Sequence, residues 1–339
     1  MKKFLKVMSV IMCLAIVCLS LASCGGNGGS ETTTAAPDVS NTAKTYTVGI
    51  VQLTQHAALD AATQGFKDAL TEKLGDKVIF NFQNASGEPT NCSTIVNQFV
   101  AGNVDLIMAN ASPALSAAAA ATPDIPIVAT SITDYPSALN IDAADWNGKT
   151  GFNVTGTADL APLDRQAAMI SELFPEAKTV GIIYCSGEAN SKYQVEVITE
   201  YLTAQGIEVR EYSFADSNDI ASVTTKAVDE CDVLYAPTDN KVADYGAIVN
   251  NIAEPAGIPL IAGEEGICKL CGIATLSISY YDIGYSAGEM AYDILVNGTN
   301  PGDMEIKYAT DFTKKYMKDR ADALGVEIPA DYEEIVVEE

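Results

Sequence analysis

Asp239 closes the run Cys231-Asp-Val-Leu-Tyr-Ala-Pro-Thr-Asp239-Asn240, which reads as a short buried strand giving way to a helix. A carboxylate at such a strand end, in a partly dry place, holds an ammonium group more strongly than one on the surface. Capping the helix that begins near Lys241 is the competing use of the same side chain. Glu264 and Glu265 follow another apolar run and offer the same chemistry. Two further turns suit an anion: Asn110-Ala-Ser112 and Ser186-Gly-Glu188-Ala-Asn190-Ser191. Free backbone N–H groups at a helix start, helped by a hydroxyl, bind carboxylates, although serine and asparagine also cap helices at such places. Gln52, Thr54 and His56 follow the first apolar run, and Thr130 ends the fourth. Tyr184, Tyr280 and Tyr281 could wall an aromatic side chain.

Catalysis is a poor fit. The chain has no phosphate-cradling glycine loop and no Gly-x-Ser-x-Gly elbow, and one histidine leaves few acid–base options. No enzyme and no cofactor are expected. Cys268-Lys-Leu-Cys271 is a lone CxxC, whereas structural zinc takes four nitrogen or sulfur ligands, so no metal is expected either. A local disulfide and two free thiols remain open for this pair. The net charge of −25 argues against nucleic acid, whose binders present a basic surface.

The elements that must position these groups alternate in type. Strands are predicted at 46–51, 77–82, 104–108 and 125–130, with helices at 57–74, 94–101 and from Ser112 onward. The order then repeats: Thr47-Val-Gly49-Ile-Val-Gln returns as Thr179-Val-Gly181-Ile-Ile-Tyr, and Val104-Asp-Leu-Ile-Met-Ala-Asn110 returns as the Cys231 run. The expected fold is α/β: two Rossmann-like lobes, each a parallel sheet flanked by helices, with ligand at the open strand ends. Lobe 1 is assigned 45–156 plus 280–308 and lobe 2 157–279 plus 309–330. Crossings are placed at 152–156, 279–281 and 307–311, the 264–271 stretch as a loop, and 331–339 as a loose acidic tail.

Ahead of the lobes, Lys2, Lys3 and Lys6 precede an apolar run, 7–22, shorter than the roughly 20 residues of a membrane span. It ends in Leu21-Ala22-Ser23-Cys24-Gly25, the layout of a secretory signal peptide (1–23) whose tail resembles the bacterial lipobox, with Cys24 as the lipidated residue. An uncleaved anchor helix is the alternative. Residues 25–44 are rich in Gly, Thr, Ala and Pro and read as a disordered tether.

Over roughly residues 46–310 the chain resembles the lipoprotein substrate-binding proteins of ABC importers, in particular those that bind aromatic amino acids such as tryptophan, phenylalanine and tyrosine. The matching pieces are His56-Ala-Ala-Leu59-Asp60 with Gly65-Phe66, Gln83-Asn84-Ala85-Ser86-Gly87, Ala111-Ser112-Pro113-Ala114 and Asn153-Val-Thr-Gly156. Further on come Ser186-Gly-Glu188-Ala-Asn190-Ser191, Pro237-Thr238-Asp239-Asn240 and Tyr280-Tyr281-Asp282-Ile-Gly284. The resemblance implies the periplasmic-binding-protein type I fold, with three hinge crossings, and adds Asn84, Glu188, Ser191, Thr238 and Asn240 to the candidate site. It also implies a monomer held by a lipid anchor on the outer face of a bacterial membrane, passing its ligand to a permease and ATPase. The same fold could serve another small solute or a sensing lipoprotein. Ala57, where relatives often have proline, and the CxxC are departures from the pattern.

Overall fold

The computed structural model describes residues 44–337; the signal segment, Cys24 and the expected tether up to residue 43 lie outside the described residues. The first lobe contains β1 (Tyr46–Gln52), α1 (Ala57–Leu74), β2 (Val78–Asn84), α2 (Pro89–Ala101), β3 (Leu106–Asn110), α3 (Ser112–Ala121), β4 (Ile127–Ile132), the short α4 (Tyr135–Leu139) and β5 (Val154–Ala158). The second contains α5 (Leu163–Leu173), β6 (Thr179–Cys185), α6 (Ala189–Ala204), β7 (Glu208–Phe214), α7 (Ile220–Glu230), β8 (Val233–Ala236), α8 (Asn240–Ala256), β9 (Leu260–Ala262), α9 (Glu265–Cys271) and β10 (Ala274–Ser277). The chain then returns to the first lobe with α10 (Tyr280–Asn297) and β11 (Lys307–Tyr308). It ends in the second with β12 (Thr313–Tyr316), α11 (Lys318–Leu324) and β13 (Glu333–Glu334).

The repeat in the sequence is a repeat in topology. The sheets run β2-β1-β3-β4-β5-β11 and β7-β6-β8-β9-β10-β12-β13, so five strands of each follow the same parallel order. In both, order reverses beside the first strand, and that switch point leaves a crevice at the carboxyl ends of the strands. Strands buried on both faces read as continuous apolar runs, as in Leu106–Asn110 and Val233–Ala236, whose residues are all buried. One row of residues finishes the first sheet: Gln52 lies opposite Asn84 and Asn110, and Asn110 opposite Thr130.

Glycines let α10 lie directly on α1. A Cβ on Gly284 would stand 2.0 Å from the Ala62 carbonyl oxygen, and one on Gly65 2.1 Å from that of Tyr281. Contact this close is backbone on backbone, so no side chain can yield to make room.

Several expectations need correction. β5 stays in the first sheet, and the first crossing falls after it, at 159–162. The α2 helix starts earlier than position 94, with Pro89 in its first turn where a missing N–H costs nothing. The 264–271 stretch is a helix because Glu264 caps it, accepting hydrogen bonds from the Gly266 and Ile267 amides. The expected loose tail is anchored: β13 pairs with β12, Tyr332 and Ile335 are buried in the second lobe, and the Tyr332 hydroxyl donates to Glu172. Apolar residues within the acidic segment outweigh its charge. Cys268 and Cys271 are free thiols, as are Cys92, Cys185 and Cys231, and all five are buried. Among the described residues no helix is long and apolar enough to cross a membrane.

Candidate functional site

Between the strand ends of the two lobes lies a narrow, partly open pocket of about 20 Å³. His56, Leu59, Ser112, Ser131 and Thr133 line it from the first lobe, and Asn190, Thr238, Asp239, Asn240, Ala243, Glu264 and Ile267 from the second. Asp159, in the first crossing, and Tyr280, at the second, complete the wall. None of these is lysine or arginine. The volume is about the room one bound water needs and well below the roughly 300–1,000 Å³ of ligand pockets, so a guest is admitted only when the lobes part.

The first lobe is strained where it meets the pocket. Ala111 and Ser131, just beyond the mid-sheet row of Asn110 and Thr130, have φ values of 88° and 58°. A non-glycine residue held there costs on the order of 1–3 kcal/mol, a cost that clusters at ligand sites. Helices α1 and α3 begin at His56 and Ala111 without a side-chain cap, which leaves their amide ends toward the pocket side.

Three buried carboxylates face the cavity, and each is held differently. Asp239 accepts from the Cys185 amide (2.7 Å), the Ser191 hydroxyl (2.7 Å) and the Val242 amide (2.9 Å). It thereby ties the end of β6 and the starts of α6 and α8 together. Glu264 is occupied by the amides that open α9. Asp159 accepts from the hydroxyls of Thr133 (2.9 Å) and Tyr280 (2.9 Å), two donors, as many as Glu264 and one fewer than Asp239. Burial raises all three carboxyls above their ordinary values.

Buried atoms without a protein partner mark where a guest must bond. Among the described residues, His56 Nδ1, Ser131 Oγ and Asn190 Oδ1 are buried, unpartnered and on the pocket wall. The Asn240 amide nitrogen donates to Glu188 (2.7 Å), so its oxygen must accept from His56 Nε2 at 3.3 Å. In the neutral tautomer that this bond selects, the proton is on Nε2 and Nδ1 is an acceptor.

Of the candidates read from the sequence, His56, Ser112, Asn190, Thr238, Asp239, Asn240, Glu264 and Tyr280 meet here. The others do not line this pocket. Gln52 is spent on Thr54, Asp60 and Thr63, and Asn110 on Leu59 and Thr63. Thr130 accepts from Thr157, and Asn84 accepts from the Ser86 amide. These four form the sheet's last row, one or two residues short of the cavity. Tyr184 packs in the second lobe and donates to Glu211, and Ser191 serves Asp239. Tyr281 is exposed and bonds Asp68. Thr54 belongs to the contact between lobes, donating to Asp244 (3.2 Å), whereas Glu188 stays within the second lobe and accepts from the Asn240 and Lys241 amides. Lys241 Nζ also reaches the Gly87 carbonyl (3.1 Å). Sequence reading missed Leu59, Ser131, Thr133, Asp159, Ala243 and Ile267. An aspartate in the crossing just after β5 was the available signal for Asp159.

Because Asp239 satisfies three buried donors, its first role is structural. Asp239→Ala is expected to cost at least about 3 kcal/mol of stability, since each orphaned buried group costs roughly 1–3 kcal/mol. Calorimetric unfolding checks this; an unshifted midpoint would reduce Asp239 to a pocket-lining residue.

The sequence profile described as ABC transporter substrate binding protein matches residues 47–338. A curated tyrosine-binding protein of Clostridioides difficile is 35% identical over 309 residues, covering 90% of this chain and 88% of that one. The crystal structure of an ABC domain in complex with L-Trp from Streptococcus pneumoniae aligns with a TM-score of 0.80 at 31% identity, over 85% of this chain and 97% of that one. The ligand-free, open structure of a substrate-binding protein with adhesive properties from Clostridium difficile is 36% identical over 86% of this chain and all of its own, with a TM-score of 0.67. In this chain the lobes touch through Thr54, His56 and Gly87.

Proposed function

This chain belongs to the ABC transporter substrate-binding protein family, and from that premise we propose that it captures one aromatic amino acid between its lobes. The observation that carries this is the chemistry of the pocket: buried carboxylates with no lysine or arginine among the lining side chains, strained hydroxyl-bearing turns on the first lobe, and apolar Leu59, Ala243 and Ile267 on the wall. The ammonium group has three N–H donors. Asp159, held by Tyr280 at the hinge, is assigned as its charge partner, with His56 Nδ1 and the lone pairs that the α9 amides leave on Glu264 as further acceptors on the pocket wall. The ligand carboxylate is assigned to Ser112, Ser131 and the uncapped start of α3. Closure follows from using both lobes, since only a ligand that binds the closed form better shifts the equilibrium toward it. The relatives' binding of tyrosine and L-Trp supports the ligand class.

Proteins of this family work outside the cytoplasm. Lipid attachment at Cys24 and delivery to a permease and its ATPase complete the reading, supported by the basic head, apolar run and Leu21–Gly25 stretch at the N-terminus. Calorimetric titration of the mature protein tests the site. Tyrosine, tryptophan or phenylalanine should bind at micromolar Kd or tighter, with leucine and glucose far weaker. Silence with all three aromatic amino acids would remove the proposal.

A further inference from the structure

The Asn190 amide cannot be turned round. Its nitrogen faces Thr238 O (3.1 Å), Glu188 Oε2 (3.2 Å) and Ser191 Oγ (3.4 Å). A carbonyl oxygen only accepts, and Ser191 has given its proton to Asp239. Glu188 accepts from two backbone amides and the Asn240 side chain, so it too is an acceptor toward Asn190. The orientation leaves Asn190 Oδ1 as a pure acceptor on the pocket wall, 6% exposed as a residue and without a partner among the described residues. Gln194 braces the turn from behind, bonding the Asn190 carbonyl and both the carbonyl and the amide of Thr238. An unpaired buried acceptor costs about 1–3 kcal/mol, which a guest recovers only by donating to it.

That donor is not the ammonium group under the reading given above, on which this inference rests. The ammonium lies at Asp159 and Tyr280 by the hinge, whereas Asn190 is joined to Glu188 and Thr238 of the second lobe. With the ammonium and carboxylate so assigned, the donor left for Asn190 is one on the ligand's side chain. We propose that Asn190 is a specificity-determining residue that selects aromatic amino acids bearing a hydrogen-bond donor on the ring, a phenol hydroxyl or an indole N–H, over phenylalanine. A site built to bond such a group rejects the analogue that lacks it, because its own polar atom is left bare.

Titrations of tyrosine, tryptophan, phenylalanine and 4-methylphenylalanine into wild type and Asn190→Leu decide it. The wild type should bind tyrosine or tryptophan at least 100-fold tighter than phenylalanine, and tyrosine at least 30-fold tighter than its 4-methyl isostere. In Asn190→Leu the preference should shrink to within about 5-fold, with phenylalanine affinity moved by less than that. Equal binding of tyrosine and its 4-methyl isostere by the wild type overturns the proposal without any variant having to fold. A preference that survives in Asn190→Leu, or affinity lost equally for every ligand, overturns it as well. In each of these outcomes aromatic amino acids still bind, which separates them from failure of the underlying reading, where none does.

Discussion

Asp159→Asn is expected to weaken amino-acid binding by about 30-fold or more while leaving the unliganded protein as heat-stable as the wild type. Removing one partner of a buried, hydrogen-bonded charge pair costs about 2–5 kcal/mol, and each 1.4 kcal/mol is tenfold in Kd. Stability should survive because the hydroxyl bond the Asn amide cannot keep is offset by no longer burying a carboxylate, whose burial already raises its pKa, while the Asn oxygen still accepts from the other hydroxyl. The pH dependence carries the same signature. Burial raises the Asp159 and Glu264 carboxyls, so in the unliganded protein they take up protons sooner on acidification than exposed acids do. A protonated carboxyl no longer attracts an ammonium group. Affinity therefore falls as pH drops through these raised values and stays level above them until the ligand amine loses its proton. The contribution of these groups to unliganded stability has the opposite sign: it is full below the unfolded value of about 4 and is lost as pH rises through the folded one. Titration calorimetry from mild acid to neutral pH checks both halves. An Asp159→Asn protein with wild-type affinity, or with the same acid limb, would move the ammonium to another group.

Gly284→Val should cost at least about 3 kcal/mol and lower the thermal midpoint by roughly 6 °C, because the added carbons have nowhere to go. A Cβ there would sit 2.0 Å from the Ala62 carbonyl oxygen and 2.6 Å from its carbon, and the obstacle is the α1 backbone itself. The helices would have to separate along the contact that seats α10 in the first lobe. Since α10 opens with Tyr280, whose hydroxyl holds Asp159, that separation also loosens the pocket. Differential scanning calorimetry reads the shift; a midpoint within 2 °C of wild type would show that the helices part without strain.

The doubled fold was legible because buried parallel strands need unbroken apolar runs, and those runs recur in one order through both lobes. The strand ends were legible for the same reason: polar residues appear where burial stops. What the pattern could not say was how far past the strand the cavity lies. Gln52, Asn84, Asn110 and Thr130 looked like site residues and turned out to finish the sheet, bonded to their own neighbours. The α9 helix was missed because a single glutamate cap outweighs a short stretch with little periodicity. The C-terminal tail was misread because its acidic residues hid Tyr332 and Ile335, which find apolar partners only after the second lobe has formed.

By itself the sequence determined the two matched lobes, the strand-end location of the site and the kinds of group available there, because all three follow from local periodicity and residue type. Only the tertiary structure decided which carboxylate is free for a ligand. Asp239, Glu264 and Asp159 are alike as acids, and the difference lies in what each already satisfies: three donors at Asp239, two α9 amides at Glu264 and two hydroxyls at Asp159, a matter of which groups folding brings beside them.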